Sequence, residues 1–415
     1  METVTLPGGG VSQDELDRMR ATLDARLPAF LADLERLVNT DCGSYTKVGV
    51  DEVGRWTGAF LERLGATVDY RDDDQFGATV VGTFDGGVAG GSGGARLLLI
   101  GHLDTVFEPG TAAARPFRID DGIAKGPGVT DMKSGLLAGL YAIDALRELG
   151  DGSLPFERLT FIANPDEEIG SPTSTPHIRD SARDVDACLV LECARANGDI
   201  VSSRKGILDL RLTVHGRAAH AGVEPEKGRN AIVEAARLVR ELNALNARWP
   251  GVTVNVGVIS GGTRPNVVPD RCSLDVDLRS PSRLDLESAE VAVRELCTAT
   301  LVPDTMVEIE QMGRHWPMEK LGRSGRLVEH AAAIADRLGF QVRDAATGGA
   351  SDANTTAGMG VPTLDGLGPI GGNDHSPAEY LEVDSIVPRT ALLAGLMLSI
   401  ARDPAVVGWR DTPSR

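Results

Sequence analysis

The chain has 415 residues, with 42 Lys and Arg against 60 Asp and Glu, a formal net charge of −18. That length exceeds what a single core usually organises, so two domains are expected, and ordinary apolar content argues for packed globular structure. So acidic a balance repels phosphate backbones and anionic lipid, which argues against nucleic acid and membrane as partners.

Five cysteines (Cys42, Cys188, Cys193, Cys272 and Cys297) are scattered and form no CxxC pair, so neither a disulfide framework nor a cysteine-zinc site is expected. The opening residues Met1 to Pro7 lack the basic and apolar regions of a secretory signal, and no apolar stretch reads as long enough to span a bilayer. A soluble cytoplasmic protein is the expectation.

Ser12 followed by Glu15 has the spacing of a capping box, and Leu16, Met19, Leu23, Leu27 and Leu31 continue a helical stripe. The Gly-dense run 86–94 reads as a loop between strands at 78–84 and 95–100; it lacks the Lys-Ser/Thr of a phosphate loop. Strands are expected at 97–100, 159–163 and 187–191, with a helix carrying Leu136, Leu140, Ile143 and Leu146 that stops at Gly150. Continuous apolar strands separated by helices predict an α/β fold around a mostly parallel sheet flanked by helices.

Beyond Arg204 the texture changes. Leu208, Leu210, Leu212 and Val214 alternate with polar residues, as do Leu274, Val276 and Leu278. Period two predicts antiparallel strands with one wet face, and helices are expected at 229–245 and 286–300. The domains are therefore read as a catalytic part at 1–204, an inserted α+β domain at 205–316, and the rest of the catalytic part at 317–415.

Metal-type residues recur along the catalytic parts: His102 and Asp104 after a buried strand, Asp131 in a Gly-rich turn, the pair Glu167-Glu168, Glu192 after another strand, and His375. Imidazole and carboxylate suit Zn²⁺, with Mn²⁺ or Co²⁺ possible on the same ligands, and ends of parallel strands are where open α/β sheets place their sites. If the strand direction persists past His102, the Asp104 carboxylate can accept the second imidazole N–H. Adjacent Glu167 and Glu168 point in different directions, so one can bind metal while the other stays free as a base.

As an ordered set, Gly101-His102-Leu103-Asp104-Thr105-Val106, Gly128-Val129-Thr130-Asp131-Met132-Lys133-Ser134-Gly135, Asp166-Glu167-Glu168-Ile169-Gly170, Gly216-Arg217-Ala218-Ala219-His220-Ala221-Gly222, Asn266-Val267-Val268-Pro269 and His375-Ser376-Pro377-Ala378-Glu379-Tyr380 resemble the M20 zinc peptidases and aminoacylases, and within them the glutamate carboxypeptidases of the carboxypeptidase G2 type. The resemblance implies two zinc ions per subunit. His102, Asp131 and Glu192 would hold one; Asp131, Glu168 and His375 would hold the other. Glu167 would be the general base that takes a proton from the attacking water and passes it to the leaving nitrogen, and Asp104 would orient His102. A cis bond after Asp131 is implied as well.

The inserted domain would form a homodimer, with His220 reaching the partner's site to stabilise the oxyanion; read without the resemblance, His220 is a turn residue. For the substrate, a peptide or small molecule, the resemblance implies Arg314 and Asn266 on the terminal carboxylate, Arg279 as a further substrate-side arginine, and Ser351 in the leaving-residue pocket. A surface salt bridge is the competing reading of Arg279. Glutamate-specific relatives carry a lysine where this chain reads Ala196-Asn197-Gly198-Asp199-Ile200. The expected activity is release of a C-terminal amino acid from a peptide or N-acyl conjugate. An aminoacylase or deacetylase and, remotely, a non-catalytic metal-binding scaffold are the alternatives.

Overall fold

The computed structural model describes residues 7–412 apart from residue 9, residues 87–93 and residue 321. The Gly-dense loop expected at 86–94 thus lies largely outside the described residues. The chain divides into two compact units: Met1–Ser202 with Lys320–Ala346 and Ser351–Arg415, and Ser203–Glu319 with Thr347–Ala350.

In the first unit the helix Gln13–Val38 begins at Ser12, whose hydroxyl accepts from Glu15 N while the Glu15 carboxylate accepts from Ser12 N. This reciprocal cap satisfies two donors that the first helical turn cannot pair. Six strands form the sheet in the spatial order Thr67–Arg71, Thr79–Asp85, Arg158–Asn164, Arg96–His102, Ala187–Val190, Thr363–Leu364. The first two pairings are antiparallel and the remaining three parallel. Leu97, Leu98, Leu99 and Ile100 are all fully buried, as a strand covered on both faces requires.

Helices Gln13–Val38, Ser134–Leu149 and Ile386–Ala401 pack on one another. Ser134–Leu149 crosses close behind the strand that leads to Glu192: a Cβ on Gly135 would lie 1.8 Å from Leu191 O, so only glycine permits this approach. One expectation is corrected here. Val383–Ala401 contains an 18-residue window of mean hydropathy 1.4, apolar enough to cross a bilayer by composition, but 83% of that window is buried within the fold, where an all-round apolar helix belongs.

The second unit is a four-stranded antiparallel sheet in the order Thr253–Gly261, Arg271–Ser280, Gly206–His215, Met306–His315. Leu208, Leu210, Leu212, Val214, Leu274, Val276 and Leu278 are buried beneath the helices Ala231–Ala244 and Arg283–Thr298. The opposite face is polar, and Arg211 grips Asp275 across the ladder at 2.7 and 3.0 Å. The second helix starts three residues before the expected 286 because Ser282 accepts from Asp285 N and caps it.

Candidate metal centre

His102 is the last residue of its strand and only 1% exposed. Its Nδ1 lies 3.0 Å from the Asp104 carbonyl oxygen and 3.4 Å from the Asp104 carboxylate. The nearer partner is thus the Asp104 backbone carbonyl, with the Asp104 carboxylate beside it. The carboxylate is drawn elsewhere, accepting from Ser44 Oγ at 2.6 Å, Glu167 N at 3.1 Å and Glu168 N at 3.2 Å. One buried aspartate therefore stands beside the imidazole and holds the first two N–H groups of the turn Glu167–Ile169.

With Nδ1 so occupied, His102 Nε2 faces Asp131 Oδ1 at 3.1 Å and Glu192 Oε1 at 3.7 Å. Asp131 turns its other oxygen to His375 Nε2 at 3.1 Å, and His375 Nε2 meets Glu168 Oε2 at 3.0 Å. Asp131 is thereby shared between the two histidines. The Asp131–Met132 peptide bond is cis, in line with the resemblance. Ligand atoms of His102, Asp131 and Glu168 lie within 4.8 Å of one another, as do those of His102, Glu167 and Glu192.

The electrostatics fit a divalent cation. Burial, reinforced by the charge of Glu192, pushes the Glu167 carboxyl well above its ordinary range; burial raises Glu168 too. Hydrogen bonds to Asp131 and Glu168 raise His375 to about 11. Burial would lower His102, but its bonds to Asp104 and Asp131 outweigh that and raise it. So many buried carboxylates around two imidazoles form an oxygen and nitrogen donor set that a divalent ion neutralises and that suits zinc.

Sequence reasoning gave no role to Glu379. It is 2% exposed and accepts from Gly128 N at 2.9 Å, Thr130 N at 2.9 Å and Asp131 N at 3.1 Å, so it clamps the turn that presents Asp131. Burial, against these three donors, moves its carboxyl up to about 7. Its place four residues after His375 in one motif was the available signal. Elsewhere in this unit Ser399, His330 and Asp403 form a serine–histidine–aspartate chain at 2.7 and 2.8 Å. All three are at most 2% exposed, so the chain braces the helices rather than meeting a substrate.

Ser351 lies in the first unit and caps the helix Asp352–Gly358. Its hydroxyl accepts from Ala353 N at 3.1 Å and donates to Asp365 at 2.7 Å, so it is committed to the protein interior. In the second unit the pairing of Ala219–His220 with Val267–Val268 sets exposed His220 beside Asn266, whose carbonyl accepts from Ala221 N. Arg314 holds the Glu290 carboxylate and lies over the Trp316 ring at 4.9 Å. Arg279 is engaged by Asp277 of its own strand at 2.9 Å and by Gly348 O at 3.0 Å.

The fold and the donor set together define a metal-dependent hydrolase whose clusters hold a pair of divalent ions of the zinc type. The sequence profile of peptidase family M20/M25/M40 matches residues 98–399, and the chain belongs to that family. It is 32% identical over 380 residues to carboxypeptidase G2 of Pseudomonas sp. (strain RS-16), covering 90% of this chain and 89% of that protein. It is 30% identical over 310 residues to a succinyl-diaminopimelate desuccinylase of Dechloromonas aromatica (strain RCB), covering 70% and 80%. Among solved structures, aminopeptidase PepT from Bacillus cereus ATCC 10987 superposes with a TM-score of 0.73 at 24% identity, covering 95% of this chain and 100% of that one, a likeness of fold.

Proposed function

We propose that this hydrolase cleaves an amide bond to release a C-terminal amino acid from a peptide or N-acyl conjugate, with Glu167 as general base. The carrying observation is the placement of Glu167: its backbone N–H is fixed by Asp104, and its carboxylate lies among the ligand atoms of His102 and Glu192. His102, Asp131 and Glu192 would hold one ion; Asp131, Glu168 and His375 would hold the other. When bound, the ions polarise the substrate carbonyl and make water acidic near neutral pH. Glu167, raised by burial, takes the proton from the attacking water and hands it to the departing nitrogen.

From the second unit, His220 would donate to the oxyanion in the partner subunit's site, and Arg314 with Asn266 would take the substrate's terminal carboxylate. That Arg314 already grips a carboxylate, Glu290, supports this role. Exposed Val258 and Ile259 on the edge strand Thr253–Gly261 support a homodimer formed through this unit. Five buried free cysteines support a cytoplasmic setting.

Similarity to carboxypeptidase G2 supports the carboxypeptidase reading. The lysine absent from Ala196–Ile200 leaves glutamate without its expected side-chain partner, and likeness to a desuccinylase favours N-acyl amino acids as a second reading. In zinc-loaded protein, Glu167→Gln should keep its metal and lose about two orders of magnitude or more in turnover. Undiminished turnover would remove Glu167 from the reaction. A panel of dipeptides and N-acyl amino acids separates the two substrate readings.

A further inference from the structure

In the first unit the strand Thr363–Leu364 pairs with Ala187–Val190, and the chain beyond each strand runs on side by side. Gly368 N donates to Glu192 O at 2.8 Å, and Ala194 N donates to Pro369 O at 3.1 Å. A Cβ on Gly368 would lie 2.9 Å from both Leu191 O and Glu192 O, so this close approach requires glycine. The chain leaving Glu192 then turns back, with Gly198 N donating to Arg195 O at 2.7 Å. Residues 195–199 and 366–369 lie outside helices and strands, so no ladder of their own fixes them.

Arg389, near the start of the helix Ile386–Ala401, joins these two stretches. It is 2% exposed, and its guanidinium donates to Gly368 O at 3.0 Å, Gly366 O at 2.7 Å and Gly198 O at 2.8 Å. Each of its three nitrogens takes one carbonyl, a use of the rigid fork that a lysine does not reproduce. Burial holds the group down at about 10. Burying a charge against carbonyl dipoles costs stability, so an apolar side chain of similar length would serve packing better. What the arginine adds is a fixed spacing among three carbonyls, two of them on the segment that donates to Glu192 O.

We infer that Arg389 is a positioning residue for the metal centre: by pinning Gly198, Gly366 and Gly368 it keeps the Glu192 carboxylate beside His102. The inference rests on the proposed place of Glu192 in one ligand set and says what holds it there. Arg389 hydrogen-bonds none of the metal-type residues, so its effect passes through Gly368 to Glu192 O and on to the carboxylate 3.7 Å from His102 Nε2. Glu168 hangs instead from Asp104, so only the ion held by Glu192 should feel the loss of Arg389.

The test titrates the full-length protein with zinc against a chromophoric chelator, in wild type, Arg389→Met, Glu192→Gln, both together, and Arg410→Met. Arg410 is the control, a buried arginine at the other end of the same strand that donates to Asp186 at 2.6 Å. Arg389→Met should weaken one ion about tenfold or more and leave the other within about twofold. Added to Glu192→Gln it should cost little more, because both changes act on one ligand. Methylguanidinium should restore zinc binding to Arg389→Met, since Arg389 lines a groove of about 550 Å³ through which a small cation can enter. Arg410→Met should lower the melting temperature and move neither affinity. If Arg389→Met does not fold, Arg389→Lys, which keeps the charge without the fork, takes its place with a loss at the same ion. Losses that add in the double variant, equal weakening of both ions, no restoration by methylguanidinium, or affinities unmoved while Glu192→Gln weakens one ion overturn the positioning role. If Glu192→Gln moves neither ion, the ligand assignment itself fails and the role falls with it.

Discussion

In the first unit the strands Arg96–His102 and Ala187–Val190 are covered on both faces, whereas in the second Gly206–His215 and Arg271–Ser280 alternate over most of their length between buried and partly exposed residues. The consequence is seen at their polar residues. His102, Asp104 and Glu192 are at most 8% exposed and must find partners inside the protein, while Arg211 and Asp275 meet at the surface. A buried carboxylate without a partner is costly, so the first unit's site residues also hold its structure. In the second unit, exposed His220 can carry chemistry without carrying stability.

The largest expected effect tests this division from the second unit. His220→Ala should lower kcat by about two to three orders of magnitude, as removal of an oxyanion donor does, while the melting temperature stays within about 1 °C. A fall of several degrees would show that His220 is structural, and the contrast between the units would fail.

Asp352 sharpens the contrast from the first unit. It is 4% exposed, accepts from Asn164 and from Ser171 Oγ at 2.6 Å, and burial raises its carboxyl to about 6. A raised acid pKa means that the native state keeps its proton longer than the unfolded chain. Its contribution to stability is therefore fully present below the ordinary value near 3.8 and is lost as pH rises through 6. Between pH 4 and 7, chelated wild type should lose roughly 2 kcal/mol relative to Asp352→Asn, measured by urea unfolding at each pH. Parallel stability curves would show that Asp352 is not held protonated.

Asp104→Asn should act on metal. Replacing the carboxylate that Ser44, Glu167 N and Glu168 N share should lower zinc affinity by about 10- to 100-fold, read by competition with a chromophoric chelator. Unchanged affinity would reduce Asp104 to a fold residue.

What could be read in advance follows the range of the interaction. The capping box at Ser12, the strands ending at His102 and before Glu192, and the alternating Leu208 to Val214 all rest on neighbours within a few residues, and the structure reproduces them. The metal residues were legible because each stands where a buried strand or a glycine turn releases the chain. Asp104 with Glu167, 63 residues apart, and Glu379 with Gly128, 251 apart, leave no periodic trace. Helix and strand periods report which face is buried; they do not report which distant N–H a carboxylate will hold.

The smallest expected effect falls on Arg279, where the polar face of the second unit offers two readings. Its guanidinium is held by Asp277 two residues earlier and by Gly348 O, with the side chain 36% exposed. An ion pair in contact with water contributes about 0–1 kcal/mol, so Arg279→Ala should barely move the melting temperature. If the pair is only a surface bridge, KM should stay within about twofold as well, because an exposed pair so satisfied has no share in ground-state binding. If Arg279 serves the substrate, KM should rise about tenfold or more in Arg279→Ala with stability unchanged, which is the pattern expected of Arg314 in the same unit. A combined loss of stability and activity would mean that the wet face of the second sheet couples structure to function as the buried site of the first unit does.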